Sequence, residues 1–79
     1  MDIGRALEVI RTKRKMSRAN LAESSGLTRM SVFRVEVGRQ DPTLGTLERL
    51  AKALDVSLTH IVRQALMDGS QGRQRRTKK

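Results

Sequence analysis

The chain has 79 residues, no cysteine, one histidine and one aromatic residue, and 17 basic against 8 acidic side chains give it a net charge of +9. That length holds one small domain, and with no thiol and only His60 it offers neither a disulfide framework nor a zinc centre, so no metal and no cofactor is expected. Its apolar runs are short and its N-terminus has no hydrophobic signal core, so a cytoplasmic protein with no membrane partner is expected.

Five helical segments can be read along the chain, and no period-2 stretch is long enough for a strand, so the expected fold is all-α. The first helix runs from Ile3 to Lys13 with Ile3, Ala6, Leu7 and Ile10 on one face. It ends in the basic cluster Arg11, Lys13, Arg14 and Lys15, which suits the negative end of a helix dipole. Met16 tucks back as an apolar anchor, and Ser17 caps a second helix that reaches about Ser24 and closes at Gly26. Thr28 caps a third helix, which runs to about Val37 and stops at Gly38. After the polar loop Arg39-Gln40-Asp41-Pro42, Thr43 caps a fourth helix whose stripe of Leu44, Leu47, Leu50, Ala51 and Leu54 is expected in the core. Ser57 caps a fifth helix, carrying Leu58, Ile61, Val62, Ala65 and Leu66 to around Met67. That face is broader than a terminal helix of a monomer needs, so these five residues are the expected dimer interface. Residues 1–67 form the domain in this reading, and 68–79, which contain no apolar residue, form a disordered basic tail.

The stretch from Ser17 to Gly38 carries the most information. Counted from Arg18, Leu21 and Ala22 stand fourth and fifth, Gly26 ninth, Leu27 tenth, Val32 fifteenth and Val35 eighteenth. A small Ala22 lets the following helix cross closely, Gly26 supplies a positive φ in the turn, and the four larger apolar residues face a shared core. The eighth position, normally apolar, is Ser25. With Arg11 late in the first helix, Glu36 two residues before Gly38, the segment GRQDPTLGTLERLAKAL and the following DVSLTHIV, the chain resembles the lambda-repressor-like (Xre) helix-turn-helix family from about Ile3 to Val62.

The resemblance implies a compact five-helix domain whose third helix enters the DNA major groove, in proteins that mostly bind inverted repeats as dimers. It also implies an ion pair between Arg11 and Glu36 that ties the first helix to the third. Three residues depart from the family pattern: Arg18 replaces a common glutamine, Lys15 a glycine or asparagine, and Phe33 a polar residue. A left-handed Lys15 costs on the order of 1 kcal/mol.

On the third helix Val32, Val35 and Glu36 point inward, so Met30, Phe33, Arg34 and Val37 point outward, with Arg29 at the exposed N-terminal end. Arg29 is the expected base reader, because a guanidinium bridges guanine O6 and N7, and Met30 and Phe33 suit thymine methyl groups. Arg34 serves bases or phosphates. Arg18, Thr28, Arg39 and Gln40 are the expected phosphate contacts, at helix N-termini and in the loop after the third helix. His60 is expected as a partly exposed helix residue or an interface contact.

Residues 1–66 hold 12 basic and 7 acidic side chains and residues 67–79 hold 5 and 1, so the domain is basic without its tail. The tail is read as an arm that follows phosphates. No paired-carboxylate, Ser/His or metal constellation stands out, so an enzyme is not expected. The expected function is a dimeric transcriptional regulator, a repressor, on double-stranded DNA. An antitoxin that binds operator DNA and also neutralises a toxin protein is the alternative, and the two diverge only in what the fifth helix and tail do.

Overall fold

The computed structural model describes the backbone of residues 1–77 and the side chains of residues 1–67. Five helices follow one another: α1 (Ile3–Lys13), α2 (Arg18–Ser25), α3 (Arg29–Glu36), α4 (Leu44–Leu54) and α5 (Leu58–Thr77). Their starts follow from short polar side chains. The hydroxyls of Ser17, Thr28, Thr43 and Ser57 accept the backbone N–H of Asn20, Ser31, Thr46 and His60 at 3.0, 3.0, 3.1 and 3.0 Å. Each bond satisfies one of the donors that a helix start leaves without an intrahelical partner. Asp2 does the same for α1, its carboxylate accepting from Arg5 N–H at 2.9 Å.

The connections turn through left-handed residues. Gly26 (φ 77°) ends α2 and Gly38 (φ 84°) follows α3, two positions where the sign of φ favours glycine. Lys15 takes the left-handed conformation expected of it, at φ 58°. Asp55 does so too, at φ 59°, closing α4 where the sequence carries no glycine.

Ala6, Leu7 and Ile10 of α1, Leu21 and Ala22 of α2, and Val32 and Val35 of α3 form one core with Leu50, Ala51 and Leu54 of α4 and Ile61 and Ala65 of α5. Ile3, Met16, Leu27 and Leu47 pack against it half-buried. α1 lies on α3 and α5, while α2 lies on α3 and α4. Ser25, the polar exception in the motif, is buried, and its hydroxyl donates to the Ala22 carbonyl at 3.2 Å, so the core absorbs it without an unpaired polar group.

Three expectations are corrected. Leu44 is 66% exposed and outside the core: helical phase places it near the inner stripe of α4, but its side chain at the start of the helix is left mostly uncovered. Ile61 and Ala65, expected at a dimer interface, are fully buried within the single chain, because α1 covers that arc of α5. Finally, α5 continues past Met67 to Thr77, its backbone helical in spite of the glycines at 69 and 72. The side chains of the basic tail at 68–79 lie outside the described residues.

Candidate nucleic-acid interface

The geometry of the exposed face of α3 begins with what fixes its buried face. Glu36, with its side chain 2% exposed, accepts from Arg11 Nε at 2.7 Å and from Arg11 Nη2 at 3.2 Å, the forked geometry of a guanidinium–carboxylate pair. Arg11 Nη1 donates to the Met16 carbonyl at 2.7 Å. One side chain therefore ties α1, the turn through Lys15 and α3 together. The left-handed Lys15 turn presents that carbonyl to Arg11, which gives the strained residue a structural return.

Gly4 adds a second constraint that sequence reasoning passed over. It is buried where α1 crosses the last turn of α3, and a Cβ there would overlap the carbonyl oxygens of Val35 and Glu36. The available signal was a glycine inside a helical pattern between apolar positions, which marks close backbone approach.

With Val32, Val35 and Glu36 turned inward, the opposite arc faces out as expected: Met30 is 53%, Phe33 37% and Val37 46% exposed, and Arg29 and Arg34 are exposed as well. Met30, Phe33 and Arg29 line a shallow depression together with Arg18 from the start of α2. Arg18 is the site residue whose surroundings differ most from expectation. Its Nε donates to Glu36 Oε1 at 2.9 Å, Nη2 lies 3.9 Å from Glu8 Oε2, and its Cζ sits 5.2 Å from the centre of the Phe33 ring. Arg18 is thus tied into the protein between a buried carboxylate and an aromatic face.

Thr28, Arg39 and Gln40 flank α3 at its two ends and are exposed. The turn at Gly38 brings the backbone N–H groups of Arg39 and Gln40 onto the Arg34 carbonyl, at 2.8 and 3.2 Å. Their amides are therefore engaged, and any anion these two residues hold is held by side chains. The Thr28 hydroxyl is engaged in capping Ser31. His60 is exposed on α5, and there Leu58 is half-buried while Val62 and Leu66 are exposed. Leu58, Val62 and Leu66 lie at i, i+4 and i+8, a single stripe beside the buried arc. Among the described residues no group of three or more His, Asp or Glu is placed to hold a metal ion, and no helix is long and apolar enough to cross a membrane.

Comparison with known proteins places this arrangement among similar chains. A family model described as Helix-turn-helix matches residues 7–61. The immunity repressor protein of Bacillus phage phi105 is 37% identical over 62 residues, covering 78% of this chain and 43% of the relative. The competence pilus inhibition repressor of Acinetobacter baylyi is 34% identical over 61 residues, covering 77% and 56%. The chain spans about half the length of these curated relatives. Among solved structures, the restriction-modification controller protein C.AhdI from Aeromonas hydrophila superposes with a TM-score of 0.74 at 35% identity, covering 76% of this chain and 91% of that one. The clp gene regulator ClgR from Corynebacterium glutamicum superposes with a TM-score of 0.84 at 25% identity, covering 98% and 80%.

Proposed function

This chain belongs to the helix-turn-helix family, in its lambda-repressor-like (Xre) branch, and on that premise we propose that it is a transcriptional repressor that binds double-stranded DNA sequence-specifically as a homodimer. The observation that carries the reading is the two-sided character of α3. Its inner face is locked by Val32, Val35 and the Arg11–Glu36 pair, while its outer face presents Arg29, Met30, Phe33 and Arg34. A helix held rigidly on one side and lined with arginine and apolar groups on the other suits a major groove, which displays acceptors and methyl groups.

In this reading Arg29 reads a guanine, Arg34 reaches a base or a phosphate, and Thr28, Arg39 and Gln40 fix the register on phosphates. The exposed stripe of Leu58, Val62 and Leu66 joins two protomers, so that two copies of α3 meet successive grooves about 34 Å apart. Residues 68–79, with five basic side chains and one acidic, add phosphate contacts. The site of action is the cytoplasm, where its DNA target lies.

Selection from a pool of random duplexes tests the proposal. Enrichment of a sequence with dyad symmetry is expected. A pool that stays random after several rounds while the protein still retains DNA would reduce the chain to a non-specific polycation binder and overturn the reading.

A further inference from the structure

The depression between Arg18, Arg29, Met30 and Phe33 lies on the outer face of α3 and has an apolar floor in a basic frame. Met30 and Phe33 are exposed there, although each would gain by being covered. Phe33 is also held in place. Arg18 lies over its ring within the range of a cation–π contact, and Arg18 is itself bonded to Glu36, whose carboxylate is buried and forked onto Arg11. The order Arg11, Glu36, Arg18, Phe33 thus runs from the core to the surface and fixes the ring before anything binds. An apolar seat framed by arginines fits an apolar spot on a polyanion. In the major groove the C5-methyl group of a pyrimidine is such a spot.

We propose that this depression is a preformed seat for a pyrimidine 5-methyl group and that Arg18 is the positioning residue that holds its Phe33 wall. The proposal rests on the reading of α3 as the helix in the groove and deepens it. Thymine and 5-methylcytosine carry the methyl at the same ring position, so the chemistry recognised is the methyl and either base is a source of it. Arg18, at the N-terminus of α2, then serves base recognition through Phe33 and not backbone neutralisation.

The test uses the full chain and the duplex enriched from a random pool, with each thymine replaced in turn by deoxyuridine, which removes only the methyl. One thymine per half-site is expected at which uracil weakens binding about fourfold, the effect of one buried methyl. Phe33→Ala and Met30→Ala, both surface substitutions, should bind thymine and uracil duplexes alike at that position. Arg18→Lys keeps the charge but not the planar guanidinium that donates to Glu36 while covering the ring. It should lose the same discrimination with little change in salt dependence, whereas a phosphate clamp, whose charge lysine retains, would leave discrimination intact. In a second arm, cytosine and 5-methylcytosine are compared at the same position. A gain with the methylated base assigns the seat to the methyl whichever pyrimidine carries it, and a gain confined to thymine assigns it to thymine; either result supports the seat. Uracil neutral at every position, or discrimination that survives in Phe33→Ala, overturns it while leaving sequence-specific binding in place. Failure to enrich any duplex overturns both readings.

Discussion

Glu36 sits on α3, the helix proposed to enter the groove, yet its carboxylate is buried between Arg11 and Arg18. Removing it strands the Arg11 guanidinium in a dry site, and breaking a buried pair from one side costs about 3–5 kcal/mol. Glu36→Ala is therefore expected to lower unfolding free energy by about that amount in urea titration. Arg18→Ala, whose partner keeps Arg11 and whose own side chain is 36% exposed, is expected to cost no more than about 1 kcal/mol. Equal losses for the two would mean that Arg18, not Arg11, is the main partner of Glu36. A different behaviour is expected of Arg39, which is exposed beyond the end of α3. Arg39→Ala should weaken preferred and scrambled duplexes alike and make the dependence of log affinity on log salt shallower by roughly 1 per protomer. A selective loss on the preferred duplex would place Arg39 on a base.

At the scale of elements, α1 supports α3 by contact closer than any side chain permits. Gly4→Ala must push a methyl into the carbonyls of Val35 and Glu36, both backbone atoms that cannot rotate aside. A loss of about 1–3 kcal/mol is expected, seen as a lower thermal midpoint, and unchanged stability would show that α1 slides freely on α3. The apolar face of α5 divides into a buried arc and an exposed one. Val62 and Leu66 are exposed, so replacing both with lysine should leave a folded protein that sediments as a monomer and binds DNA weakly, whereas Ile61→Lys should unfold it. A doubly substituted dimer would move the interface elsewhere. This division was not legible in the sequence, because Ile61 and Val62 are equally apolar neighbours and periodicity cannot say which arc a partner helix will cover. Leu44 misled for the same reason: its phase is right and its side chain is left mostly uncovered. What local chemistry decides could be read in advance, including the capping residues Ser17, Thr28, Thr43 and Ser57, the turns at Gly26 and Gly38, and the left-handed Lys15. Asp55 was not read, since aspartate tolerates that conformation without announcing it. The bond from Arg18 to Glu36 was not legible either, because it depends on how α2 and α3 cross.

For the whole molecule, the claim that matters most is that the outer face of α3 reads base sequence while the rest of the protein holds it in register. Net charge alone would give affinity without sequence preference, and affinity that falls as salt rises, so neither property distinguishes a reader from a basic surface. A substitution at one outward residue does, because it changes what is selected and not only how tightly. Arg29 is the residue to use, as it is exposed at the start of α3 and makes no contact on which the core depends. The decisive measurement is duplex selection repeated with Arg29→Ala beside the wild-type chain. The account predicts the same dyad-symmetric sequence with preference lost at one position in each half-site, together with a loss of about 1–3 kcal/mol on the wild-type sequence. An unchanged selected sequence, or a preference eroded equally at every position, would contradict it.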